Sequence, residues 1–512
     1  MPTVRRHWAA ADEGIANWVA APRDDLVRES IGDDGSYRQA EGPLRAYRRV
    51  VAPMPDGSID ETTTYALGIP WFGWLFGPFV RRSLKHRPGP ASPPGRQPWW
   101  APPDRLTHDQ VLVLGLLAAA AMCAAYTNTL FTQTVNFASR TFHADNGTQA
   151  TAGIIVRLAI IGGLPIALLA DRIGRRRMIQ FTAFAAPGCC ALGALAPSFG
   201  ILTGTQAVGR SLGLVLDLLI AVMAAETMPR NSRAYAVSVL AMAAGLGAGV
   251  CVMALRIADT GPQGWRWVYV LALIWLIVAA DLARRLPETR RFTEHVAEPA
   301  TKPTPIRRAR LAAQAGALFF ANLFVAPASF FQNRYLADVR GYSAGGIAAF
   351  TLVTQTPAGL GILVGGRIAD RSGRRVLGAV TALGGTGLVL ASFAVSGWPM
   401  WLVAMIGGIV GGAAVPALGV YRAEVFPTGR RSLAGYWITA TALVSGSIGL
   451  NITGHFLDRG VSHASILGVL ALGQVAVAVI VLRWFPETAH RELEELNPED
   501  RTVEAGPIIP TS

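Results

Sequence analysis

From about residue 109 the chain is a succession of apolar runs, each close to the length of one bilayer crossing, with short polar gaps between them. The runs fall at about 110–137, 148–169, 178–196, 199–225, 234–257, 266–285, 310–335, 344–368, 376–396, 399–423, 433–455 and 464–485, numbered here as spans 1 to 12. A helix needs about 20 apolar residues to cross the hydrocarbon core. Lipid offers an open backbone no hydrogen-bond partner, so runs of this kind are stable only as helices. Composition agrees. Half of the chain (51%) is hydrophobic and 15% is charged, against about 25% charged in a soluble domain. The predicted fold class is an all-α membrane protein of about twelve transmembrane helices.

Charge orients the bundle. The net charge of +13 admits nucleic-acid binding as one reading, but the arginines sit between apolar runs rather than on one soluble module. They gather after spans 2, 4, 6, 8 and 10: Arg172, Arg175, Arg176 and Arg177; Arg230 and Arg233; a run from Arg284 to Arg310; Arg371, Arg374 and Arg375; Arg430 and Arg431. The alternate gaps hold few, such as Arg140, Arg340 and Arg459. The positive-inside rule makes the first set cytoplasmic. Both termini are expected on that side, in a multi-pass protein of the plasma (cytoplasmic) membrane. The N-terminus carries acids early and has no apolar core segment, so it does not read as a signal peptide. Cys123, Cys189, Cys190 and Cys251 all lie in apolar runs without metal-ligand spacing, so no metal and no cofactor is expected.

Residues 1–108 read as a polar cytoplasmic extension whose early part has no helical periodicity. Within it, 65–80 (YALGIPWFGWLFGPFV) is apolar and aromatic but too short to span. Arg81, Arg82, Lys85, His86 and Arg87 follow it directly. Aromatics beside basic groups suit the headgroup layer; a loop packed on the helical domain is the alternative. A Pro-rich linker, RPGPASPPGRQP, leads to span 1. The expected organisation continues with a six-helix bundle at 109–285, a central loop at 286–309, a second bundle at 310–485 and a tail at 486–512.

An internal repeat relates the two bundles. ADRIGRRR at 170–177 recurs as ADRSGRRV at 369–376, AETMPRNSRA at 225–234 as AEVFPTGRRS at 423–432, and LPET at 286–289 as FPET at 485–488. Asp171 and Asp370 are 199 residues apart, Glu226 and Glu424 198, and Gln133 and Gln332 again 199. Motifs in register at this spacing indicate two halves from one six-span ancestor, a plan that often encloses a substrate path.

These motifs resemble those of the major facilitator superfamily along nearly all of residues 109–490. The second copy matches its signature loop in full, with Gly366 four residues before Asp370, Arg371, Gly373, Arg374 and Arg375. The first copy has Asp171, Arg172, Gly174, Arg175 and Arg176, with Ala167 in the position of the first glycine. The Glu-x6-Arg pairs, Glu226/Arg233 and Glu424/Arg431, and the two Pro-Glu-Thr ends look like the sugar-porter-like branch. The resemblance implies alternating access, with Asp171 and Asp370 capping neighbouring helix N-termini and the arginines and glutamates completing a gate. Partly exposed pairs worth about a kcal/mol each would bias such a gate without locking it. The plainer reading, that the arginines only hold the loops inside, leaves the paired acids unexplained.

Ionisable residues inside spans default to function. Arg157 lies in span 2; Arg210 and Asp217 lie seven apart on one face of span 4. They read either as a proton-coupling set or as a pair holding span 4 in place. Span 1 has no central carboxylate, which weakens direct proton symport. Its Tyr126, Thr127, Asn128, Thr129 and Gln133, with Asn322, Gln332 and Asn333 of span 7 and Gln355 of span 8, are candidates to line a path for a polar solute. Helix–helix hydrogen bonding is the alternative for each. Gly-rich stretches such as GLGAGV and GGIVGGAA read as close-packing faces rather than phosphate loops. No nucleophile elbow, nucleotide motif or metal spacing points to an enzyme. The expected activity is secondary transport of a small polar solute, a sugar or an organic acid, coupled to protons. The expected protein is a monomer in the bilayer that binds no nucleic acid. Drug export by the same fold and a non-transporting sensor are the alternatives.

Overall fold

The computed structural model describes residues 1–497 except 10–12, 88, 90–94, 96, 145, 255–256, 258–260, 289–305, 343 and 428–429. The central loop therefore falls largely outside the described residues. The chain forms two compact units, Met1–Ala119 with Thr227–Ser232, and Ala120–Glu226 with Arg233–Ser512.

The first unit departs from the sequence reading. The extension is folded around an antiparallel sheet of β1 (Thr3–Trp8), β2 (Arg28–Ile31), β3 (Tyr37–Glu41), β4 (Leu44–Pro53) and β5 (Ile59–Leu67), in the order β1-β5-β4-β3-β2. Helices α1 (Glu13–Ala20) and α2 (Gly73–Lys85) accompany it. Val4, Leu26, Val27, Leu44, Tyr47 and Tyr65 pack against Val80 and Leu84 of α2. Burying one such side chain contributes about 1.5–3 kcal/mol. The strand pattern escapes a hydropathy scan because polar side chains share the inner face. Along β5 the buried positions are Ile59, Glu61, Thr63 and Tyr65, at the period of two that a strand requires. Fully buried Arg49 makes this tolerable: it pairs with Glu29 at 2.7 Å and Glu61 at 3.5 Å. The expected interfacial segment divides, residues 65–67 ending β5 and α2 running past residue 80 to Lys85.

The linker ends in a reciprocal cap on span 1. Gln110 N–H donates to Thr107 Oγ1 at 3.3 Å, and Thr107 N–H to Gln110 Oε1 at 3.0 Å. Just before it, Asp104 accepts from Asn231 Nδ2 at 3.0 Å and its N–H donates to Ser232 Oγ at 3.1 Å. The extension is thus tied to the loop after span 4.

The apolar runs are helices where expected. Span 1 is His108–Thr141, span 3 Arg175–Leu192, span 4 Phe199–Thr227, span 5 Arg233–Ala254, span 6 Gly264–Arg285 and span 7 Arg308–Arg334. Spans 9 to 12 are Arg375–Ser392, Trp398–Gly419, Arg431–Asp458 and His463–Trp484. Among the described residues eleven helices are long and apolar enough to cross a membrane. Span 2 completes the set in two pieces, Asn146–Leu158 and Leu164–Ile173, joined by a 3-10 turn at Ala159–Gly163. The second piece opens on Leu164-Pro165, and proline cannot donate to the preceding turn. Span 8 breaks similarly at Pro357, between Ala344–Gln355 and Ala358–Ser372. The Gly-rich stretches are close-packing faces: a Cβ on Gly247 would lie 2.2 Å from the Met122 carbonyl oxygen of span 1.

Candidate gate and intramembrane charges

The first signature loop turns the chain from one helix to the next within a single residue, and the second within two. Gly174 sits at φ +117° and Gly373 at +102°, a region that disfavours any side chain. Spans 3 and 9 therefore start at once, at Arg175 and Arg375.

Around the second loop the packing is tight. A Cβ on Gly366 would lie 2.0 Å from Ser238 Oγ and 2.9 Å from the Ala234 carbonyl oxygen. Span 8 therefore lies directly on span 5, and Ser238 donates across to the Ile362 carbonyl at 2.8 Å. One turn further on, Asp370 accepts from the N–H of Ala234 at 3.2 Å and of Tyr235 at 2.9 Å. A carboxylate on those free donors caps span 5 and meets its positive dipole end. Asp370 also holds Arg374 at 2.6 Å; Arg374 in turn bonds Glu424, in the short turn of helix after span 10, and Thr488 Oγ1 at 3.0 Å. Burial opposes the Arg374 charge, but Glu424 and Asp370 outweigh it and raise its pKa.

The first loop likewise sets a buried arginine beside a glutamate. Arg175 approaches Glu226 at 3.5 Å. The side chains of Asp171 and Ala167 lie outside the described residues. Arg172 and Arg371 are exposed, apart from the buried network.

The two Glu-x6-Arg pairs exchange partners. Glu226, ending span 4, binds Arg431 at the start of span 11 at 2.8 Å. Glu424 binds Arg233, at the start of span 5, at 3.4 Å. Each glutamate thus joins one bundle to the other, where the sequence pattern places each arginine beside its own glutamate. The expected exposure is also corrected. The side chains of Arg175, Glu226, Asp370, Arg374, Glu424 and Arg431 are fully buried, and Arg233 is nearly so. The value of about a kcal/mol for an exposed pair does not apply to them. Removing one partner of a buried pair costs about 3–5 kcal/mol.

The Pro-Glu-Thr ends do work that the sequence reading left unassigned. Glu288 accepts from the Arg176 N–H at 3.2 Å, capping span 3. Glu487 accepts from the N–H groups of Arg374 and Arg375 at 3.0 and 3.1 Å, and from those of Thr488 and Ala489. Burial alone would raise the Glu487 carboxyl; these four donors outweigh it and hold it below its ordinary value. Their recurrence in register was the available signal.

Deeper in, Arg210 and Asp217 do not pair among the described residues. Seven residues separate them by about 10 Å along the helix. The charged neighbour of Arg210 is Arg157 of span 2, and that of Asp217 is Arg422, which follows span 10. Arg157 donates to Ser447 Oγ of span 11 at 3.4 Å, and Arg210 Nε is buried without a hydrogen-bond partner. Among the described residues neither arginine has an acidic partner. Asn128 Oδ1 is likewise buried and unpartnered, beside Gly213 of span 4. Gln133 and Gln332 are half-buried and Gln355 is exposed. Asn322 donates to the Leu318 carbonyl of its own helix at 3.2 Å. The Asn333 side chain lies outside the described residues. Tyr126 and Thr127 are committed to structure, donating to the carbonyls of Val268 and Ala124.

A family model described as Major Facilitator Superfamily matches residues 116–355 and 315–509. The chain belongs to this superfamily. It is therefore a multi-pass membrane transporter and not an enzyme. Comparison with curated protein sequences gives no match. Solved structures share the fold. The proton:xylose symporter XylE, bound to 6-bromo-6-deoxy-D-glucose, aligns at TM-score 0.65 and 16% identity, over 76% of this chain and 98% of its own. The human organic anion transporter MFSD10 aligns at 0.61 and 12%, over 72% and 98%. The Major Facilitator transporter FucP, in the outward conformation, aligns at 0.60 and 15%, over 73% and 99%. Two six-span halves of the Major Facilitator kind account for the repeat.

Proposed function

We propose that this transporter carries a small polar organic solute of the organic-acid class by proton-coupled alternating access. The Arg157–Arg210 neighbourhood supports this reading most. Two guanidiniums without a described carboxylate beside them, inside the spans, suit a ligand that brings its own negative charge. Polar groups on spans 1 and 7, Asn128, Gln133 and Gln332, suit the remainder of such a molecule. MFSD10 is described as an organic anion transporter and XylE as a proton:xylose symporter, so an organic acid and a sugar are the two solute classes to separate.

In this reading the Arg-rich face is cytoplasmic in the plasma membrane, both termini lie there, and the exchanged ion pairs close that face. Opening parts Glu226 from Arg431 and Glu424 from Arg233. Asp217 faces Arg422 from the other bundle, and the same motion separates them, which makes Asp217 the proton carrier. The test is a thermal-shift screen of the purified chain against sugars, organic acids and cationic drugs at two pH values. Ligands that bind the folded state raise Tm. A pH-dependent shift with organic acids, lost in Arg210→Gln, supports the reading. A sugar shift that persists in Arg210→Gln moves the solute to the sugar class. Shifts with apolar cations alone replace the reading with drug export.

A further inference from the structure

We propose that α2 and the residues on either side of it form a membrane-docking face, seated in the anionic lipid leaflet at the mouth of span 1. The position comes first. The segment entering α2 lies along the opening turns of span 1: a Cβ on Gly68 would sit 2.2 Å from His108 Nδ1, and one on Gly115 2.6 Å from Pro70 Cδ. Gly115 is four residues into the apolar run that begins at Val111, so Pro70 packs about 6 Å inside the point where that run starts. The chain is thereby held at the depth of the headgroups and the first methylenes.

The surface at that level is unusual for a soluble layer. The inner side of α2 packs Val80 and Leu84 into the sheet core. Its outer side leaves Trp74 76% exposed, with Leu75, Phe79, the preceding Trp71 and nearby Trp99 also exposed. Trp99 adjoins Trp100, whose ring packs on Phe76 and Phe79, so these side chains belong to one patch. Large exposed aromatics in water are a liability; at a membrane boundary, tryptophan is favoured. The charged half follows. Arg81, Arg82 and Lys85 are exposed on the last turns of the same helix. A short helix with an apolar outer face and a basic end fits an anionic leaflet, burying its apolar side about 5–10 Å into the boundary. Each exposed cation there adds to the attraction.

The face is tested in the full-length chain. Cys123, Cys189, Cys190 and Cys251 are replaced by serine, and a single cysteine is introduced by Trp74→Cys, by Phe79→Cys, or by Arg28→Cys on the exposed side of β2. Each variant carries an environment-sensitive fluorophore and is reconstituted into phosphatidylcholine vesicles with and without phosphatidylglycerol. With the anionic lipid, the labels at 74 and 79 should be quenched about threefold more by lipid-borne nitroxide than by iodide, and the label at 28 the reverse. Without phosphatidylglycerol, or with Arg81, Arg82 and Lys85 all changed to glutamine, the lipid quenching should fall by about half. Iodide quenching at 74 and 79 equal to that at 28 would place the face in water and overturn the proposal. Protection from both quenchers would show that protein covers it, which overturns it equally.

Discussion

The two copies of the signature loop share an ancestor but differ in how closely their arginine meets its glutamate. Around Glu424 the gate is dense: Asp370 caps span 5, Arg374 bridges Asp370, Glu424 and Thr488, and Gly366 lets span 8 lie on span 5. Around Glu226 the intra-bundle contact lengthens to 3.5 Å and the signature glycine is replaced by Ala167. Across this seam the larger Tyr436 stands at the register position of Ser238, with its ring 3.5 Å from where a Gly163 Cβ would lie. At the position of the Ser238–Gly366 contact, the first copy thus carries tyrosine and alanine in place of serine and glycine. The difference teaches that the contact within a bundle and the crossed contact between bundles need not tighten together: Arg374–Glu424 is the shorter of the first kind, and Glu226–Arg431, at 2.8 Å against 3.4 Å, the shorter of the second.

The largest effect should come from Glu424→Gln. It removes the buried charge that Arg374 and Arg233 share, leaving Arg374 with Asp370 alone of its two carboxylates, a loss of about 3–5 kcal/mol. Moving a two-state equilibrium from 1:99 to 99:1 takes about 5.5 kcal/mol. Transport in proteoliposomes should collapse while membrane insertion is kept, and Glu226→Gln should do less. Equal damage from the two would erase the asymmetry. Asp370→Asn comes next. It keeps the shape but weakens two charge-assisted caps and the Arg374 pair, each hydrogen bond to a charged group being worth about 1.5–3 kcal/mol. Transport should fall severalfold; normal transport with this change would remove the gating role from the second loop. Gly366→Ala should cost about 1–3 kcal/mol by overpacking, read as a lower Tm, with Ser238→Ala recovering part of it.

The smallest effect concerns pH. Glu487 has a folded pKa below its ordinary 4.5, so its cap stabilises fully above that value and is lost as pH falls through the folded value. The Tm difference between the natural chain and Glu487→Gln should be constant near neutrality and vanish at strongly acid pH. A difference that persists there would mean that the cap works without its charge.

Much of this was legible in the sequence because the governing quantities are local. Span positions follow from hydropathy and length, and the interruptions of spans 2 and 8 fall at Pro165 and Pro357. The repeat shows which residues are equivalent, but equivalence does not say which copy a charge will meet. Glu226 and Arg233 are separated by a loop that carries the arginine onto the next helix, where Glu424 is the nearer acid. Register along the chain cannot show that exchange. The sheet escaped for another reason. Strand periodicity is normally read from hydrophobic alternation, and in β5 two of the four buried positions, Glu61 and Thr63, are polar. The burial of Glu61 depends on Arg49, supplied from the neighbouring strand. The pairing of Arg157 with Arg210 as neighbours was hidden for the same reason, since it is a contact between helices.

The crossed glutamate–arginine contacts have a consequence for ancestry. Written for one six-span half, they read as an acid that seeks an arginine on another molecule, and an arginine that seeks that molecule's acid. This is the signature of an isologous interface, in which two identical subunits meet about a two-fold axis and every contact occurs twice. A homodimer of the ancestral half could have closed this gate before any peptide joined the two copies. Only after fusion could the two seams diverge in sequence, as Ala167 against Gly366 and Tyr436 against Ser238 record.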